Sequence, residues 1–383
     1  PKLRRLAFLT ASEAFSCDYC SAHAFCFGDM LKGPIRKQFQ RGKGPVVVQD
    51  VSRNSVSSCE EPDEKAVVAL ASAGVRRPFY ESADGPLLVD LGRDVRRLCG
   101  DRGIEIVKAV VSFAGALNTV TDILGVTLEE GSQSFTTELF RTASGDEWAI
   151  RPHHENVSEK AKERVEDEHG NVGGLSGELS NMGELMRTMP HAMKGMKFEM
   201  LVLYRGLPMS AKKQNEWVQS RLGEQGARFF LKMTGMELRR AFCFGLRENL
   251  MPDEHCVSGT YRQWAYADRL SFLYTFAWLA GSMELCDVAV ELTSRYRNVT
   301  IEAAALHLEE FTTCQSSMLP PATAAARRLV VFVSQRTDNI PGDLVELVTG
   351  ACAPEAVVEL ASLCSFIEMW RRLVVLFLLD DNV

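Results

Sequence analysis

The chain has 383 residues, 46% of them hydrophobic and 24% charged, which is ordinary globular material and long enough for two cores of typical domain size. A formal net charge of −7 argues against a nucleic-acid binder, which would carry a basic surplus on one face. The eleven cysteines are an odd count and, beyond an opening cluster, lie scattered in apolar runs rather than at staple-like intervals, as suits thiols packed as small hydrophobes in a reducing intracellular compartment.

The chain begins at Pro1 with helical periodicity already under way, which reads as a fragment or processed form. Residues 2–15 place Leu3, Leu6, Ala7, Leu9 and Ala14 at helical spacing and predict a buried helix. Ser16 then caps a second helix running to about Met30, stopped by Gly33-Pro34, with Asp18 in its first turn. A basic, Gly-containing stretch over 32–44 leads to helices over 63–74, with an acidic start at Pro62-Asp63-Glu64, and over 104–124, ended by Gly125. Residues 142–189 turn charged and Gly-rich and read as a solvated linker that contains His153-His154.

Helical periodicity resumes at Gly195, with an echo of the first part. The stretch 266–273 followed by Met283-Glu284-Leu285-Cys286 echoes the run from Lys2 to Cys20, and 356–366 echoes 105–113. Setting Cys20 against Cys286 puts Met283 opposite Cys17 and Ala289 opposite His23, so a second copy would keep one thiol of the pair. Strand signals are confined to a short run at 45–48, and the expected class is all-α. The expected domains are a redox helical domain over 1–135, a polar linker or insertion over 136–194, and a degenerate, structural helical domain over 195–383. No run of about 18 uncharged apolar residues occurs, since 373–379 is flanked by Arg371-Arg372 and Asp380-Asp381, so no membrane partner is expected.

Chemistry concentrates in Cys17-Asp18-Tyr19-Cys20-Ser21-Ala22-His23. Residues three apart share a helix face, so Cys17 can meet Cys20, and Cys20 can meet His23. Two Cα atoms one turn apart also fall within the roughly 4.4–6.8 Å that a disulfide spans. A pair of inert buried thiols is one alternative. Zinc is another, but steps of three residues turn Cys26 to the far side from Cys17, so a tetrahedron needs a ligand from elsewhere, such as His255-Cys256. Haem attachment needs a histidine directly after the second cysteine, and Ser21 stands there. No cofactor is called for. Arg76-Arg77 and Arg327-Arg328 read as exposed helix charges.

The Cys-x-Tyr-Cys pattern with His23 one turn on, after a Leu-rich helix, resembles the alkylhydroperoxidase D and carboxymuconolactone decarboxylase superfamily of all-helical proteins. Residues 113–126, Phe-Ala-Gly-Ala-Leu-Asn-Thr-Val-Thr-Asp-Ile-Leu-Gly-Val, resemble that family's closing helix. The resemblance covers about the first third of the chain and, more weakly, the last third. It implies a helical bundle and a peroxidase cycle: Cys20 as attacking thiolate, Cys17 as resolving thiol, His23 as proton acceptor, a hydroperoxide substrate and a dithiol protein as reductant; a homo-oligomer is compatible with the sequence but not fixed by it. Two positions differ from the family pattern. Arg5 holds the place of an upstream relay glutamate, leaving Glu13 as nearest substitute, and His23 follows Cys20 by three residues rather than four. A non-catalytic scaffold or redox-sensing protein, and a decarboxylase-like enzyme without need of a Cys pair, are the competing expectations.

Overall fold

The computed structural model describes residues 2–15, 20, 61–75, 85–126, 207–208, 210–252, 262–335 and 340–378, and among these every regular element is a helix. The predicted opening helix is α1, Lys2–Ala14, and its Leu6, Ala7, Leu9 and Ala11 are buried. The next is α2, Pro62–Ala73, with Pro62 at its start and Asp63 and Glu64 in the first turn, where acidic side chains complement the helix dipole. The third, α3, runs over Gly85–Ile123 and is longer than periodicity indicates, because Gly100 breaks it into two segments at φ 73° and ψ 175°, a backbone state open to glycine alone. Its end follows expectation: Val126 N–H donates to Thr121 O at 2.9 Å and Gly125 N–H to Asp122 O at 3.2 Å, closing the last turn.

The C-terminal part comprises α4 (Ala211–Leu231), α5 (Met236–Leu250), α6 (Tyr266–Leu279), α7 (Met283–Arg297), α8 (Ile301–Thr313), a short 3₁₀ turn, α9 (Pro321–Gln335), α10 (Gly342–Ala351) and α11 (Pro354–Leu378). Its core is aromatic. Phe242 stands within 5.1–5.5 Å of Phe229, Phe366 and Trp370, centroid to centroid, and all four are buried. The N-terminal core of α1, α2 and α3 is built instead from small aliphatics such as Ala7, Ala11, Val67, Ala71, Val107, Val111 and Ala114.

The two cores share walls. Helices α3 and α11 make the most extensive contact in the molecule. Val375 and Leu376 of α11 complete the N-terminal core, while Ala116 and Ile123 of α3 enter the C-terminal one. The helices approach closely at Gly115, where a β-carbon would lie 2.7 Å from Arg372 Nε. Glu105 of α3 adds a second tie: its carboxylate accepts from the Thr234 N–H and hydroxyl and from the Gly235 N–H, at 2.7 Å for the last, capping α5 with the charge its N-terminus favours.

Charged side chains assume positions the sequence assigned otherwise. Arg327, expected at the surface, is buried and donates to Phe311 O at 2.6 Å and Ser316 Oγ at 3.0 Å, closing the end of α8. Arg371 and Arg372, read as an interruption of an apolar run, are wholly buried. Among the described residues one helix, α3 over Leu88–Ile123, is long and apolar enough to cross a bilayer, a test that core helices also pass; 56% of its most apolar window is buried inside the protein.

Candidate functional site

Cys20 is helical and 1% exposed. Its Sγ lies 3.8 Å from the Thr121 hydroxyl in the last turn of α3. The contact joins two stretches 101 residues apart, the cysteine motif and the closing helix on which the resemblance rests. Thr121 Oγ1 is 3.0 Å from each of the carbonyl oxygens of Leu117 and Asn118, a back-bond to its own helix that fixes the side chain.

Cys17, Tyr19, His23 and Cys26 lie outside the described residues, as do His153-His154 and His255-Cys256. Glu13 and Arg5 are on α1, but their side chains too lie outside the description. Of the four expected site residues, Cys20 alone therefore has a described environment. Among the described residues no three His, Cys, Asp or Glu side chains converge as a metal would require.

The stretch of α3 that carries Thr121 is rich in buried polar side chains. Ser112, Asn118, Thr119, Thr121 and Asp122 of α3 are all buried, Asn118 and Thr119 completely, and Thr10 and Ser12 of α1 are buried as well. The Asn118 carboxamide and the hydroxyls of Thr119, Thr10 and Ser12 have no hydrogen-bond partner. Natural interiors satisfy nearly all such groups, with ordered water where protein atoms do not suffice. Sequence reading noticed Asn118 as part of the closing helix but had no signal for its unmet polarity or for Thr121 touching Cys20.

Beside this polar stretch sits an ionic cluster on α11. Glu368 accepts from Arg371 at 3.0 and 3.2 Å and from Arg372 at 2.6 and 2.9 Å, and all three side chains are at most 1% exposed. Arg372 also donates to the carbonyls of Gly74 and, at 3.2 Å, Val75, and its guanidinium stacks 4.3 Å above the Phe15 ring. It thereby pins the end of α2 and the end of α1 against α3.

Four other described thiols are shifted by their burial. Burial pushes Cys243 and Cys286 up to about 12, and burial raises Cys99 and Cys352 as well, so none of these is a ready thiolate near neutral pH. Cys99 lines a cleft of about 620 Å³ between the start of α1, the start of α2 and the bend of α3, together with Arg4, Arg102, Glu61 and Asp63. That cleft reaches Val107 and so lies about 20 Å along α3 from Thr121, at the opposite end from Cys20.

No family model, no curated protein and no solved structure matches the chain.

Proposed function

We propose that the protein is a thiol peroxidase or related disulfide oxidoreductase of the alkylhydroperoxidase D type, with Cys20 as its attacking thiol. The observation that carries the reading is the 3.8 Å approach of Cys20 Sγ to Thr121, because it brings together the two segments that carry the resemblance. Shelter strengthens electrostatic control of a thiolate.

In the proposed cycle the Cys20 thiolate attacks the terminal oxygen of a hydroperoxide. The S–O bond forms as the O–O bond breaks, leaving Cys20 as sulfenic acid and releasing an alkoxide that takes a proton to become the alcohol. Cys17 then attacks the sulfenic sulfur, expelling water and closing a disulfide, which a dithiol protein reduces by exchange. His23 receives the Cys20 proton, a role that suits an ordinary imidazole near pH 6.5. Glu13 stands in for the family's relay carboxylate.

The same reading includes a degenerate duplication within a helical bundle. In support, Cys286 on α7 is nearly as buried as Cys20, at 3% against 1%. The C-terminal copy would then be structural.

The test is peroxide consumption by the full chain with a dithiol donor. Cys20→Ser abolishes it, and Cys17→Ser leaves an oxidised Cys20 that a sulfenic-acid probe traps. Equal activity in wild type and both variants removes the assignment. One observation favours a second reading, a non-catalytic redox-sensing scaffold: a thiol only 1% exposed admits little but small solutes. That reading requires stoichiometric oxidation without turnover under any dithiol donor.

A further inference from the structure

We propose that Asn118 is the substrate-binding residue of the Cys20 site, its carboxamide holding the two oxygens of a small hydroperoxide against the sulfur. The proposal rests on the reading of Cys20 as the attacking thiol.

Asn118 is completely buried, and neither Oδ1 nor Nδ2 has a partner. A buried carboxamide with both ends unmet costs more than an ordinary hydrogen bond contributes, so a closed interior keeps one only where something else occupies the space beside it. The position of the amide indicates what. Asn118 precedes Thr121 by three residues on α3, so the two side chains are neighbours on one helix face. A helical side chain leans toward the N-terminus, which carries the Thr121 hydroxyl over the turn that Asn118 occupies. Thr121 in turn touches Cys20 at 3.8 Å.

Thr121 cannot itself serve as the donor. Its one hydroxyl proton has the carbonyls of Leu117 and Asn118 within 3.0 Å as well as the Cys20 sulfur at 3.8 Å, so it is contested within the protein. The Asn118 amide offers two N–H donors and one acceptor, none of them engaged. A hydroperoxide presents the complementary pair, one O–H donor and an adjacent acceptor oxygen. With Oδ1 receiving the O–H of the terminal oxygen and Nδ2 donating to the oxygen that leaves, the O–O bond lies across the face of the helix that Cys20 meets. As the S–O bond forms and the O–O bond breaks, the electron pair and negative charge pass from sulfur to the leaving oxygen, where the Nδ2 proton already points. Donors placed in advance at a developing charge are among the largest contributors to enzymatic rate.

The experiment measures two second-order rates on the full chain in single turnover, by quenched intact-mass analysis: oxidation of Cys20 by hydrogen peroxide and alkylation of Cys20 by iodoacetamide. Wild type is compared with Asn118→Leu, of similar volume, and Asn118→Ala, which cannot overfill the site. The expected result is that hydrogen peroxide oxidation falls about 100-fold in both variants, while alkylation changes by less than about two-fold and neither melting temperature falls by more than about 5 °C. Oxidation unchanged by both substitutions overturns the proposal, leaving the amide as the host of a structural water only. Oxidation and alkylation falling in proportion also overturn it, because Asn118 would then act on the thiol and not on the peroxide. Two variants that fail to fold overturn it by making the residue structural. A wild-type Cys20 that alkylates but is not oxidised by hydrogen peroxide removes the underlying peroxidase reading together with this one.

Discussion

Cys20 and Cys286 are equally hidden, yet their surroundings could hardly differ more. Around Cys286 burial acts almost alone, with Asp287 and Glu284 adding like charge, and the thiol is driven up to about 12. At Cys20 the described contact is with the Thr121 hydroxyl of α3, at 3.8 Å. The comparison teaches that equal depth does not mean equal surroundings: one thiol meets carboxylate charge from its own helix, the other a hydroxyl from a distant one. The cores around the two thiols differ in the same sense. The C-terminal one is filled by interlocking aromatic rings, the N-terminal one by alanine and valine, which leaves room for polar side chains between the helices.

The sharpest way to break the comparison is to remove each thiol. Cys20→Ser is expected to lower hydroperoxide consumption by more than about 100-fold, and Cys286→Ser to leave it within about two-fold while lowering stability, as read by steady-state turnover and thermal melts. Equal losses would put the two thiols on the same footing. Next in size are the two kinds of core. Trp370→Ala should destabilise by about 3–5 kcal/mol through the cavity it opens among Phe229, Phe242 and Phe366. Glu368→Ala should cost a similar 3–5 kcal/mol for a different reason, two buried guanidinium groups left without their carboxylate. Urea denaturation measures both.

Smaller effects sharpen the contrast. Gly115→Ala inserts a methyl 2.7 Å from Arg372 Nε and 3.0 Å from its Cδ, and is expected to cost about 1–3 kcal/mol by the same measurement. The C-terminal thiols also set a pH dependence. Their folded-state values lie above the ordinary 9, so their contribution is complete below pH 9 and is lost as the pH rises through about 12. Melting temperature should therefore decline over that range, and less steeply in Cys243→Ala and Cys286→Ala. Smallest is Ser12→Ala. Removing a buried hydroxyl that bonds to nothing should leave stability unchanged or raise it by up to about 1 kcal/mol, whereas a measurable loss would reveal a structural water there.

What the sequence disclosed follows from where its signals are local. Apolar spacing and a proline-acidic start located α1 and α2 within a residue or so, and Gly125 marked the end of α3. The first segment of α3 escaped notice because its charge pairs, such as Asp90 with Arg93 and Asp94 with Arg97, belong to a solvated face and because Gly100 hides its continuity with the periodic stretch that follows. Arg327 and Arg372 were misread as exposed or interrupting for one reason: each neutralises or caps a group on another helix, and only docking brings that group near. The all-α class was legible. The pairing of Cys20 with Cys17, His23 and Glu13 remains an expectation from spacing and resemblance, because those three side chains lie outside the described residues. The neighbour that is described, Thr121, comes from a helix a hundred residues downstream, and no local pattern announces it.

Arg372 stands near the far end of the chain and holds the backbone that terminates α2, while Val375 and Leu376 plug the gap left by the small side chains of the opening helices. A ribosome must therefore translate through residue 376 before the helices of residues 2–126 can close their interior. Cutting in the polar stretch over 136–194 would strand the leading piece without its plug and its grip, so the expectation for heating the intact molecule is a single calorimetric transition, with the early helices waiting on the last one to become solid.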